Sequence, residues 1–88
     1  KHISVYQGDA TFLNKKYYDI IIANINRNIL LNDMPVYATA LKGNGQLYLS
    51  GFYSEDLEAI AQQAERFGLL PVNNIISNNW CAALFRKT

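Results

Sequence analysis

Eighty-eight residues make one small domain, long enough to fold without a metal or disulfide framework, though a chain this short buries only about 60% of its unfolded surface. Half of the residues are apolar, 17% are charged and the formal net charge is +1, which argues against a nucleic-acid reader with its dense basic patch. The lone cysteine, Cys81, excludes an internal disulfide and a cysteine-built zinc site.

The charged fraction lies below the roughly 25% of ordinary globular domains, so part of the surface is expected to be an interface or to lie under further chain. No apolar run reaches the ~18 residues of a membrane span. The chain does not open on the charged-then-apolar pattern of a signal peptide. A cytoplasmic protein without membrane contact is the expectation. Lys15-Lys16 and Arg86-Lys87 are adjacent basic pairs and read as solvated loop and tail.

In chain order, His2-Ile3-Ser4-Val5-Tyr6 alternates polar with apolar and then meets Gly8-Asp9, the pattern of a short strand running into a loop. Tyr18-Asp19-Ile20-Ile21-Ile22-Ala23 carries a continuous β-branched run, as expected of a strand buried on both faces in a parallel sheet. Residues 27–41 place Ile29, Leu30, Met34, Tyr37, Ala38 and Leu41 near helical spacing. Pro35 is expected to break that helix, with Asn32 or Asp33 capping a second one. Gly43-Asn44-Gly45 is expected to end it, and residues 46–51 to form the next strand.

A further helix is predicted from Ser54 to about Phe67, with Ser54 as N-cap and Glu55 and Asp56 favoured by the helix dipole. Its apolar stripe is Leu57, Ile60, Ala61, Ala64 and Phe67, and Gly68 stops it. Residues 69–77 and 80–86 are strand-like, and Asn78-Asn79 between them predicts a tight antiparallel hairpin. The fold class is therefore α/β. Right-handed crossovers join parallel strands, and one antiparallel strand enters through the terminal hairpin. Cys81, beside Trp80 and Ala82-Ala83-Leu84, reads as a buried strand thiol.

Three segments carry a resemblance. Tyr18-Asp19-Ile20-Ile21-Ile22-Ala23-Asn24-Ile25 resembles the fourth strand and following motif of the ribosomal protein L11 methyltransferases, a class I methyltransferase family. The segment from Leu41-Lys42-Gly43-Asn44-Gly45 to Leu49-Ser50-Gly51 is similar to that family's "L-K-P-G-G-hydrophobic-S-G" stretch. Asn79-Trp80-Cys81 with Phe85-Arg86-Lys87 looks like its usual end. Asn44 departs from an expected Gly or Pro, and Asn26-Arg27-Asn28 is more polar than usual.

The resemblance implies a partial Rossmann-like methyltransferase sheet. Residues 1–88 would be a single domain, the C-terminal part of a catalytic domain whose Gly-rich cofactor loop and substrate-recognition domain lie elsewhere. It implies S-adenosylmethionine as cofactor and an amine of a ribosomal protein as acceptor. The 88 residues alone are then expected to be inactive.

Asn24 falls at the carboxyl end of a central parallel strand, where open α/β sheets bind ligands. By resemblance it is the catalytic candidate, accepting from the attacking amine and also touching the cofactor; a loop Asn capping the next helix is the alternative. Asp9 and Ala10 are the cofactor candidates, Asp9 accepting from the adenine amine and the Ala10 amide meeting a ring nitrogen; an ordinary Gly-Asp turn is the alternative. Ser50, Gly51, Phe52 and Tyr53 could line the acceptor mouth, though core packing or loop filling is the favoured account of them. Trp80 is expected to pack the end of the hairpin, and no spacing of His, Asp and Glu suggests a metal.

The family's sheet order runs third, second, first, fourth, fifth, seventh, sixth. Without the first two strands, the edge of residues 19–24 would be open. It would then pair with another copy, or residues 2–7 would fold over it. Two other readings remain: a stand-alone α/β protein-interaction module sharing only the shape, and a methyltransferase acting on a different amine or amide. Glutamine methyltransferases carry Asn-Pro-Pro-Tyr where this chain has Asn24-Ile25-Asn26-Arg27, which speaks against that form of the last.

Overall fold

The computed structural model describes residues 3–6, 18–24 and 26–88. Its elements are β1 (Ile3–Tyr6), β2 (Tyr18–Asn24), α1 (Arg27–Ala40), β3 (Leu41–Tyr53), a 3-10 turn (Ser54–Asp56), α2 (Leu57–Arg66), β4 (Leu69–Ser77) and β5 (Trp80–Lys87). They form one five-stranded sheet in the order β1-β2-β3-β5-β4. β1, β2 and β3 run parallel, while β5 is antiparallel to both β3 and β4. This is the expected α/β class with its terminal antiparallel hairpin.

Alternation along the strands divides the sheet into two unlike faces. Ile21 and Ala23 of β2, Leu47 and Leu49 of β3, and Cys81, Ala83 and Phe85 of β5 are buried in one core with Leu30, Met34 and Tyr37 of α1 and Ile60 and Ala64 of α2. Period-two alternation then turns Ile22, Tyr48 and Leu84, which lie in register, to the opposite face. There Ile22 and Tyr48 stay exposed. Among the described residues, the β-branched run of β2 is thus covered by helices on one face only, not on both as its composition led one to expect.

β1 lies along β2, pairing Ile3 with Ile20 and Tyr6 with Ala23. Of the two outcomes expected for the edge at 19–24, the structure has the one in which the first strand folds over it.

Pro35 does not break α1. The helix runs unbroken from Arg27 to Ala40, with Asn26 as N-cap, its side chain accepting from the Ile29 amide at 3.1 Å. The predicted caps Asn32 and Asp33 lie inside it. A proline at position 35 cannot donate to the carbonyl of Leu31. The side-chain amide of Gln63 in α2 donates there instead, at 3.2 Å. At the helix end, the Lys87 ammonium donates to the carbonyls of Ala38 and Leu41. Lys87 therefore caps α1 instead of belonging to a solvated tail, a placement the helix dipole favours.

β3 begins at Leu41, five residues before the strand expected from the sequence. Leu41 pairs with Tyr18 and Gln46 with Ile20, so Lys42–Gly45 bulge out between two paired positions. Asn44 sits in that bulge at φ 66°, a left-handed conformation Asn tolerates. Gly43-Asn44-Gly45 is thus a bulge within a strand, not the end of a helix.

Ser54 is not a helix cap but the first residue of the 3-10 turn. The Asp56 carboxylate meets the Tyr53 amide at 3.4 Å. Gly68, at φ 79°, ends α2 as predicted. Asn78 and Asn79 both hold positive φ, 50° and 71°, the signature of a type I′ hairpin turn.

Candidate functional site at the carboxyl ends of β2 and β3

Asn24 is the last residue of β2 and is exposed. It pairs with Ser50 of β3, Ser50 with Ala82 of β5, and Ala82 with Ile75 of β4. Paired residues share a face, so this row crosses the side of the sheet opposite α1 and α2, at its carboxyl end. Among the described residues, no hydrogen bond occupies the Asn24 amide.

A bulge shapes the next turn of the site. The β3–β5 register shifts between Ser50 and Phe52, and Gly51 between them takes φ 90°, which favours glycine. The extra residue lets Phe52 join Cys81 in the core, where Phe52 is buried. Tyr53, paired with Trp80, returns to the same side as Asn24 and Ser50. The two rings stack with centroids 4.7 Å apart and planes 26° from parallel. Tyr53 is 48% exposed and Trp80 50%.

Asn24, Ser50, Gly51 and Trp80 wall one open cavity of about 430 Å³. A second, of about 270 Å³, lies on the loop side and is walled by Asn26, Arg27, Gly51, Tyr53 and Asp56. The structure therefore brings Asn24, Ser50 and Gly51 together and assigns Phe52 to the core. Trp80 does pack the end of the hairpin, against Tyr53, but it also walls the cavity that holds Asn24. The sequence carried no signal for that second role, which depends on the bulge at Gly51 and on strand register. Asp9 and Ala10 lie outside the described residues, as do His2 and Lys15-Lys16.

Cys81 is buried on the opposite face, and burial pushes its thiol above the ordinary range. A desolvated neutral thiol is a poor nucleophile, so the nearby cysteine adds no reactive group.

Residues 1–88 match the family described as ribosomal protein L11 methyltransferase (PrmA). A relative of that name from Bacteroides thetaiotaomicron is 50% identical over 84 residues, which are 94% of this chain and 30% of the relative. The crystal structure of ribosomal protein L11 methylase from Lactobacillus delbrueckii subsp. bulgaricus superposes with a TM-score of 0.78 at 26% identity, covering 93% of this chain and 44% of that one. The M1.HpyAVI–SAM complex shares the fold at a TM-score of 0.76 and 18% identity, over 98% of this chain and 55% of that one. The chain spans 30% of the length of these curated relatives. With the family model matched over residues 1–88, this chain belongs to the ribosomal protein L11 methyltransferase family.

Proposed function

We propose that these residues form the acceptor-facing part of an S-adenosylmethionine-dependent methyltransferase that modifies amines of ribosomal protein L11 in the cytoplasm. The observation that carries this is the placement of Asn24: an exposed amide at the tip of an interior parallel strand, facing a cavity and without a hydrogen bond among the described residues. That is where α/β sheets hold ligands, and relatives at 48% and 50% identity bear the name of this activity.

The residues present suit such a cofactor in part. Asn24 offers both donor and acceptor at the strand tip, and the stacked Tyr53–Trp80 rings offer an apolar wall. When bound, the cofactor supplies an electrophilic methyl group on sulfonium sulfur. Methyl transfer then needs a neutral amine held in line, so the protein's work is positioning and exclusion of water. The Asn24 amide oxygen accepts from an amine N–H, which fixes the direction of the nitrogen lone pair. Ser50 lies beside it in the same row, and the aromatic pair shields the reacting nitrogen. Asp9 and Ala10, the adenine-side candidates, complete the proposed site.

The test is Asn24→Ala in a chain of the relatives' full length, with transfer of labelled methyl to L11 as readout. Loss of a positioned polar group at a reacting centre is expected to lower kcat roughly a hundredfold. Undiminished turnover would refute the reading. By the same proposal the 88 residues alone bind the cofactor weakly or not at all. Calorimetry that found tight binding would contradict that division of labour.

Self-association is part of the proposal for the isolated chain. The edge at 19–24, where self-association was expected, is taken by β1; the edge proposed in its place is the outer strand β4, where Ile75 is 67% exposed and Val72 and Ile76 are also exposed. Sedimentation should show concentration-dependent oligomers that Ile75→Lys suppresses; a monomer at all concentrations would rule this out.

A further inference from the structure

The last paired position shared by β2 and β3 is Asn24 with Ser50. Past it no ladder holds the Asn26-Arg27 start of α1 against the Gly51–Tyr53 end of β3. Those two segments directly follow Asn24 and Ser50, and among the described residues the Asp56 side chain spans them. The Asp56 carboxylate takes Arg27 Nη1 on Oδ1 and the Tyr53 amide on Oδ2, each at 3.4 Å. Its side chain is only 16% exposed. In the same turn, the Ser54 amide donates to the Asn79 carbonyl at 2.7 Å, which ties down the hairpin tip next to Trp80. Three chain segments therefore converge on the turn that ends in Asp56: the one after Asn24, the one bearing Tyr53, and the one bearing Trp80.

We propose that Asp56 is a positioning residue which, through Arg27 and the Tyr53 backbone, sets the placement of Asn24 relative to the Tyr53–Trp80 stack. This rests on the reading of Asn24 given above. Arg27 is 48% exposed, and an ion pair of that kind adds little to stability. Its effect belongs in the geometry of the site, where small misplacements of reacting groups cost rate out of proportion to their energy. A comparison pair exists in the same sheet: Lys42 lies 3.9 Å from Asp19 at the opposite ends of β2 and β3, the side chains 45% and 36% exposed, and neither residue lines either cavity.

The experiment uses a chain of the relatives' full length. It compares Arg27→Ala, Asp56→Ala, Asp56→Asn, the Arg27→Ala/Asp56→Ala double variant, Lys42→Ala and Asn24→Ala. The readouts are kcat, KM for cofactor and thermal midpoint. Arg27→Ala and Asp56→Ala should each lower kcat roughly tenfold, with KM for cofactor held within about twofold, because positioning and binding are separate terms. The double variant should be no worse than the poorer single one, as expected of two groups acting as one unit. Asp56→Asn keeps an oxygen for the Tyr53 amide and should match Arg27→Ala, which guards against a simple failure to fold. Lys42→Ala should turn over normally. Multiplying single effects, or a kcat loss that merely follows a lowered midpoint, would overturn the proposal. If Asn24→Ala is impaired while Arg27→Ala and Asp56→Ala are not, the inference about Asp56 fails alone. If Asn24→Ala is fully active, the reading beneath it fails first.

Discussion

Gln63 of α2 donates its side-chain amide to the Leu31 carbonyl of α1, 32 residues away in sequence, at the one position where Pro35 removes the helix's own donor. An interior proline costs a helix about 3 kcal/mol, and part of that cost is the orphaned carbonyl. Gln63 supplies the missing partner and joins the two helices over the sheet. Gln63→Ala should therefore destabilise the fold by about 1 kcal/mol. In a Pro35→Ala background the Leu31 carbonyl regains a backbone partner, and the same change should cost about half as much or less. Chemical denaturation of the four proteins of this cycle gives the coupling directly, and additive effects would mean the Gln63 bond does not compensate for Pro35.

The two glycines flanking Asn44 should respond in opposite ways. A β-carbon on Gly45 would meet the Lys42 carbonyl oxygen at 2.8 Å and the Asp19 oxygen at 3.3 Å, both backbone atoms that cannot swing aside. On Gly43 it would meet nothing within 4 Å. Gly45→Ala is expected to cost roughly 1–3 kcal/mol by overpacking the bulge. Gly43→Ala should be neutral or stabilising by up to about 1 kcal/mol, by reducing the freedom of the unfolded chain. Thermal midpoints of the two variants check this, and equal shifts would mean the bulge yields.

What could be read in advance follows the range of the forces involved. The β-branched run Ile20-Ile21-Ile22, the stop at Gly68 and the turn at Asn78-Asn79 depend on a residue's own conformational preferences, and each stands where the sequence put it. The unbroken helix through Pro35 does not, because its compensating donor comes from another helix. The early start of β3 depends on Leu41 finding Tyr18, a tertiary pairing that a local glycine-rich pattern hides. The candidate site divides the same way. Asn24 at a strand tip was legible from the strand itself. The company of Trp80 was not, since it needs the bulge at Gly51 to return Tyr53 to the open side and the hairpin register to set Trp80 against it. The role given to Asp56 needs Arg27, 29 residues earlier.

Cys81 offers a check on the covered face. Burial raises its pKa, so in the folded protein the thiol keeps its proton at pH values where an unfolded cysteine has begun to lose it. The folded state then binds more protons than the unfolded one. The linked stability is complete below the ordinary thiol pKa and declines as pH rises through the raised one. At pH 8.5 the native protein should react with a thiol reagent far more slowly than the denatured chain, and the rate should follow global opening. Immediate labelling under native conditions would mean that the face bearing Cys81, Ala83 and Phe85 is not covered as described.

The hairpin turn connects stability with the site. Asn78 and Asn79 both occupy the left-handed region, where a residue with a β-carbon and no local hydrogen-bonding group pays about 1–2 kcal/mol. Asn79→Ala should lower stability by about 1 kcal/mol, and Asn79→Gly should match or exceed the parent, since Asn-Gly suits a type I′ turn best. The Asn79 carbonyl also receives the Ser54 amide at 2.7 Å, and Trp80 follows it directly. A turn that relaxes in Asn79→Ala should therefore loosen the Tyr53–Trp80 stack. In Asn79→Gly the stack should stay in place. Tryptophan fluorescence separates the two: a red shift is expected for the alanine variant and none for the glycine variant. If both leave the emission unchanged while stability falls in one, the turn serves the fold alone and the stack is held by its own contact.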